Sequence, residues 1–241
     1  IKFLNIFFCY LWQNLFLRLL HDCMNVDTSR SNVNFQAKIK FINKRDFMDK
    51  KFFPFVDCQR PTEPLSSSFI KDNDFWTGEV RTCTSGGLVD DSGVLGFHIL
   101  DCFENVNKVG DSMSKIIDSK NGRNFSGLLI GAKDFSTRTD SIPLFNRVRE
   151  IVERFVNPSV FKVHNNNFAE SNIAYERDLD TWFVYTPLPN YPCYCQNEPF
   201  IASLESLLSA FREIKIAPQD SLFIGEKQIV KEDCPKIFYE G

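Results

Sequence analysis

A thiol and an imidazole fifteen residues apart are the pair in this sequence best suited to covalent chemistry. They sit in the run Thr77-Gly78-Glu79-Val80-Arg81-Thr82-Cys83-Thr84-Ser85-Gly86-Gly87-Leu88-Val89-Asp90-Asp91-Ser92-Gly93-Val94-Leu95-Gly96-Phe97-His98. Asp90 to Gly93 is a turn-forming cluster between two β-prone stretches, Thr82–Val89 and Val94–Leu100, and the spacing predicts a β-hairpin. In that register Val89 faces Val94 and Ser85 faces His98. Cys83, two residues from Ser85, then shares a face with His98, at a diagonal separation of roughly 7–8 Å between Cα atoms. An imidazole at that reach takes the thiol's proton, and the thiolate attacks a carbonyl carbon. The backbone N–H groups around Cys83 would serve as an oxyanion hole, and Gly86-Gly87 would let a substrate approach closely. Those glycines are also where a bulge would shift the register by one. The competing reading makes Cys83 a small buried hydrophobe and His98 a satisfied core histidine.

The elements that must position this pair follow from hydrophobic spacing. Val33–Ile42 alternates loosely as a strand, and Pro54, Pro61, Pro64 and Ser66-Ser67-Ser68 mark an irregular connection. Asp111–Ile117 reads as a short helix with Asp111 as N-cap, and Phe125–Ile130 as a buried strand closed by Gly131. Leu144–Phe155 places its apolar residues on one helical face, and Phe200, Leu204, Leu207, Leu208 and Phe211 mark a second amphipathic helix. Val160–Val163 reads as a strand. Asn172–Tyr175 and Trp182–Thr186 form another strand pair around Asp178-Leu179-Asp180. The aspartate doublets 90/91 and 178/180 fall at turns, where backbone geometry favours aspartate. His164, with three asparagines after it, reads as loop.

Composition narrows the function classes. The chain has 241 residues and a net charge of −3, which argues against a sequence-wide nucleic-acid or membrane-surface role. Its 25 phenylalanines lie along the whole chain, which favours a bulky core over a stacking platform. Eight cysteines follow no metal-binding interval and never pair with His21, His98 or His164 at zinc-site spacing, so no metal and no cofactor is expected. A chain of this length needs no disulfides, so free thiols in a reducing compartment are expected; the close pair Cys193-x-Cys195 reads as loop. Residues 1–25 are apolar but interrupted by Asn5, Gln13, Asn14 and Arg18, too polar for a comfortable membrane span. No small-residue cleavage site follows, and Met24 is the favoured true start. The expectation is an α+β chain of layered mixed β-sheets with flanking helices, as one domain over residues 30–241, with no stable membrane insertion.

The run from Thr77 to Asp101 resembles the chemoreceptor glutamine deamidases, the CheD family. The shared pattern is Thr77 six residues before Cys83, Leu88-Val89-Asp90 at the turn, a glycine stretch, then Gly96-Phe97-His98 followed by Ile99-Leu100. The Cys-to-His interval is like that of the cytotoxic necrotizing factor toxins, which share the fold. Leu128-Leu129-Ile130-Gly131-Ala132 looks like the family's later glycine-alanine strand end, and Asn172-Ile173-Ala174-Tyr175 like its later strand. The resemblance covers roughly residues 76–187. Arg81-Thr82-Cys83 stands where the family has Gly-Ser-Cys, and the helix around Leu204 is extra. The resemblance implies Cys83 as nucleophile, His98 as general base and acid, and Thr77 as the group orienting the imidazole. It implies hydrolysis of a glutamine side-chain amide in a protein substrate, either a signalling protein in the cytoplasm or a host protein reached by a secreted effector. The alternative is a non-catalytic protein-binding module that keeps the same fold. A third possibility, small-molecule amide or nucleoside chemistry on zinc, is not supported by three scattered histidines.

Overall fold

In a computed structural model, residues 36–51, 66–70, 74–90, 93–99, 115, 125–134, 141–154, 159–160, 164–165, 170–188 and 199–239 are described. They lie in a compact unit spanning Phe35–Gly241. The hairpin expected around Cys83 and His98 is present as β4 (Thr84–Asp90) and β5 (Gly93–Ile99). Its register runs from Asp90 opposite Gly93, through Val89 opposite Val94, to Ser85 opposite His98. The turn is closed by Asp90, whose Oδ1 accepts the Gly93 N–H at 3.1 Å.

β4 and β5 are the central strands of a four-stranded antiparallel sheet in the order β2-β5-β4-β6, with β2 (Ser66–Ile70) and β6 (Ser126–Gly131) at its edges. A six-stranded mixed sheet has the order β12-β11-β1-β10-β9-β3. Its members are β1 (Lys38–Phe41), β3 (Phe75–Val80), β9 (Ser171–Glu176), β10 (Thr181–Tyr185), β11 (Ser221–Ile224) and β12 (Lys227–Ile229). β1 runs parallel to both β10 and β11, while the remaining pairs are antiparallel. The short strands β7 (Lys133–Asp134) and β8 (His164–Asn165) form a separate parallel pair. Three α-helices are described: α1 (Lys44–Met48), α2 (Ser141–Val152) and α3 (Leu204–Ala210).

The two sheets pack face to face. Val89, Val94, Leu128 and Ile130 from the smaller sheet share one core with Ile39, Phe75, Ile173, Trp182 and Val184 from the larger. Where rings come closest to the smaller sheet, its backbone carries no side chain. A Cβ on Gly87 would lie 2.6 Å from the Trp182 ring, and one on Gly96 would lie 2.6 Å from Phe75. The reverse face of the smaller sheet carries Leu88, Leu95, Phe97, Ile99 and Leu129, which pack on Leu144, Phe145, Val148 and Ile151 of α2. The alternating burial in a half-covered sheet is therefore replaced here by strands buried on both faces, as β4, β5 and β6 are. Phe41 of β1 meets Phe211 just beyond α3, which starts at a Ser203–Ser206 capping box. α1 covers part of the other face of the larger sheet, where Phe47 packs with Phe183 and Tyr185.

The architecture is α+β, with these departures from the sequence-based expectations. Only the six-stranded sheet is mixed; the four-stranded one is antiparallel throughout. Ser66–Ile70, expected as part of an irregular connection, is a strand whose partner is β5. α2 begins at Ser141 rather than Leu144, because Pro143 falls in the first turn, where no backbone N–H is needed. The second amphipathic helix is confined to Leu204–Ala210, and Phe200 instead forms a bridge with Pro187. His164 lies in β8 rather than a loop, and Val160 precedes that strand without belonging to one. Residues 1–35, including Met24, lie outside the described residues, as do 161–163, Phe155, Leu100, Asp101, Cys193, Cys195 and, Lys115 apart, the helix expected over 111–117.

Candidate active site

Thr77 and His98 meet across the two layers. Thr77 belongs to β3 at the edge of the larger sheet, His98 to β5 in the smaller one, and Thr77 Oγ1 lies 2.8 Å from His98 Nδ1. Thr77 is 0% exposed and His98 1%. A buried imidazole without a partner costs about 1–3 kcal/mol, so this contact both fixes the ring and removes a penalty. With Thr77 at Nδ1, base chemistry at this imidazole would run through Nε2.

A bulge in β3 sets up the return to the second sheet. Thr77 pairs with Ile173 and Val80 with Ser171, so β3 spends three residues where β9 spends two. Glu79 takes up the extra residue in the left-handed region, at φ 57°, and is exposed while Val80 returns to the core. Residues 81–83 then bend across to β4, which starts at Thr84. Six residues thus carry the chain from the imidazole's partner in one layer to a cysteine at the mouth of the strand that pairs with the imidazole's own strand.

Cys83 is 7% exposed, and its thiol is not in a disulfide. Its carbonyl lies against the end of β6, where Ala132 N–H donates to it at 3.4 Å. Gly131 is required there on two counts. Its φ is +152°, and a Cβ would stand 2.3 Å from the Cys83 carbonyl oxygen. Ala132 follows in the left-handed region at φ 60°, so backbone strain lies on both sides of the site, at Glu79 and at Ala132. Ser85 is fully buried beside His98 in the register, and its hydroxyl donates to the Phe97 carbonyl at 2.7 Å.

All three candidate residues therefore lie in one region, where β3, the 81–83 bend and β5 come together. The Gly131-Ala132 segment singled out in the sequence abuts Cys83. Sequence reasoning missed Glu170, which precedes β9. Arg81 donates to its Oε2 from Nε at 2.9 Å and from Nη2 at 2.6 Å. Nothing local in the sequence links positions 81 and 170. Gly86 and Gly87 carry no bulge, since β4 keeps an unbroken register with both β5 and β6. Asp178 and Asp180 stay in their turn, where Asp180 Oδ1 accepts from the Tyr175 hydroxyl at 2.6 Å. Burial first, and Asp180 second, push the Tyr175 hydroxyl's pKa far up, so it stays protonated.

Among the described residues, no group of three or more His, Cys, Asp or Glu side chains is placed to hold a metal ion. Among them, too, no helix is long and apolar enough to cross a membrane. Compared with known proteins, the chain matches no family model and no curated protein.

Proposed function

We propose that the protein is a cysteine-dependent amidohydrolase that deamidates glutamine side chains in a protein substrate, with Cys83, His98 and Thr77 as its reacting group, base and orienting residue. The observation that carries the reading is the buried 2.8 Å contact between Thr77 Oγ1 and His98 Nδ1, made beside the strand that follows Cys83. The likeness of the 76–187 region to the chemoreceptor deamidases supplies the substrate class.

In this mechanism His98 Nδ1–H donates to Thr77 Oγ1, which leaves Nε2 to accept the Cys83 proton. The thiolate adds to the amide carbon, and backbone N–H groups at the Cys83 bend receive the developing oxyanion. Collapse breaks the C–N bond. The nitrogen takes its proton from the His98 imidazolium and leaves as ammonia. His98 then takes a proton from water, whose oxygen adds to the thioester carbon. Breaking the C–S bond releases the glutamate carboxyl and regenerates the thiolate–imidazolium pair.

One observation favours a second reading, a protein-binding module that keeps the fold without turnover: Cys83 and His98 are both almost closed to solvent. Mass spectrometry of candidate substrate proteins separates the two readings, by the replacement of an amide NH₂ with OH and by ammonia release. Deamidation that is lost in Cys83→Ser and in His98→Ala supports the hydrolase. A Cys83 that iodoacetamide modifies no faster than an ordinary buried thiol, with no deamidation, supports the module.

A further inference from the structure

We infer that Arg81 and Glu170 are positioning residues for the Cys83 thiolate: their ion pair fixes the bend that presents the nucleophile to His98. The inference rests on the proposed Cys83–His98 chemistry. It starts from how the bend is held at its two ends. On the side of the smaller sheet, the Cys83 carbonyl is seated on Gly131-Ala132. On the side of the larger sheet, β3 has just passed through its bulge, and Val80 opposite Ser171 is the last register pair before the chain leaves the ladder.

Glu170 is the residue immediately before Ser171. Its Oε2 receives both Nε and Nη2 of Arg81, the first residue of the bend. Two donors on one oxygen fix the guanidinium plane as well as its distance, which a lysine at the same place would not do. Ser171 is itself anchored, its Oγ lying 2.7 Å from Thr186 Oγ1 in the buried interior. The clamp therefore ties the bend to a fixed point two residues upstream of the thiol.

The pair's exposure separates positioning from simple stabilisation. The Arg81 side chain is 47% exposed and that of Glu170 16%. Partly exposed ion pairs contribute little to stability. Removing this one should leave the melting temperature almost unchanged while moving the chemistry of Cys83. A purely electrostatic role for Arg81 predicts the opposite sign in one variant, because removing Glu170 would take a carboxylate away from the cation and favour the thiolate.

The test is the pH profile of Cys83 alkylation by iodoacetamide in the full chain, read by mass spectrometry on the Cys83 peptide, with the melting temperature measured in parallel. The wild-type profile tests the underlying chemistry: reactivity persisting below the free-thiol pKa of about 8.5 supports a thiolate–imidazolium pair. A wild-type profile rising only near that value overturns the Cys83–His98 reading and the inference with it. Given an acid-side wild-type profile, the inference expects Arg81→Ala and Glu170→Ala to slow alkylation at pH 6.5 roughly tenfold or more, with the profile moving toward that of a free thiol. Glu170→Gln, which keeps an acceptor at the same reach, should stay within about threefold of wild type, and Arg81→Lys should fall between. An unmoved profile in both alanine variants, or faster alkylation in Glu170→Ala, overturns the positioning role and leaves the proposed hydrolase standing.

Discussion

Asp220 gives the sharpest test of the energetics. It precedes β11, is 7% exposed, and accepts the Ala37 N–H on Oδ1 at 2.8 Å, tying the start of β11 to the start of β1. Its other oxygen, Oδ2, and the buried Ser159 hydroxyl lie near enough for the hydroxyl to favour the carboxylate slightly, but neither makes a well-formed hydrogen bond among the described residues. Burial raises its pKa from 3.8 to about 6, against the smaller lowering effects of Ser159 and of the Ala37 and Ala217 backbone. A carboxyl whose pKa is higher folded than unfolded favours the native state only while it stays protonated. The unfolded chain ionises it first as pH rises, so stability falls through the window from about 4 to about 6 and stays lowered above it. The full penalty at pH 7 is about 3 kcal/mol, about half of it already present at pH 5 and little of it at pH 4.

Asp220→Asn removes the charge and keeps the acceptor for Ala37, and its amide offers the Ser159 hydroxyl a donor. The variant should therefore be more stable than the wild type by about 1–3 kcal/mol at pH 7 and nearly equal to it at pH 4. Chemical denaturation of both proteins at pH 4, 5 and 7, with the denaturant slope checked for constancy, measures this. A variant less stable at pH 7 than at pH 4, relative to wild type, would refute the reasoning, because it would mean that the ionised carboxylate is the form the fold prefers. A gain independent of pH would do the same by placing the benefit in packing rather than in charge.

Other outcomes follow from the same structure. Thr77→Val should cost about 1–3 kcal/mol of stability by removing the hydroxyl that holds His98 Nδ1, and should slow Cys83 alkylation near neutral pH; Thr77→Ser, which keeps the hydroxyl, should restore most of both in the same assays. Gly87→Ala should lower stability by about 1–3 kcal/mol on thermal denaturation, since its methyl would meet the Trp182 ring at 2.6 Å. Gly131→Ala should be worse than Gly87→Ala, because it adds a forbidden φ to a backbone collision with Cys83, and its alkylation rate should fall with its melting temperature. Cys83→Ser should abolish deamidation while Cys234→Ser, a buried thiol that the proposed mechanism does not use, leaves it intact, as ammonia release would report.

What the sequence made legible was local. The hairpin register follows from Asp90 and Gly93, whose turn chemistry fixes every pair down to Ser85 opposite His98. The helical face of Leu144, Phe145, Val148, Ile151 and Val152 is legible from its period alone. The strand Ser66–Ile70 was hidden because three serines carry no β-pattern; its stability comes from pairing with β5. β1 lies between β10 and β11 through parallel pairings to residues more than 140 positions away, which no local signal can announce. The glycines of β4 carry no bulge. They mark close approach, with the Leu128 carbonyl 2.0 Å from where a Gly86 Cβ would stand and the Trp182 ring against Gly87. The bulge sits instead in β3, at Gly78-Glu79, where the chain prepares to change sheets.

That change of sheets ties the candidate chemistry to the packing. Thr77 and His98 share no strand pairing and no turn; their contact exists only because the two sheets stand at the separation set by Trp182 and Phe75 against Gly87 and Gly96. A single-sheet site would depend on one register, whereas this one depends on a register and an inter-sheet distance together. The β4–β5 ladder places His98, the 78–79 bulge and the 81–83 bend place Cys83, and the aromatic core sets the distance across which Thr77 reaches the imidazole. A hydrogen bond weakens steeply beyond about 3.2 Å, so an outward shift of the larger sheet by even half an ångström would weaken the hold on Nδ1 while leaving each strand intact. Substitutions far from Cys83 in sequence, at Trp182 above all, are therefore expected to act on thiol reactivity through sheet separation rather than through any contact with the reacting atoms.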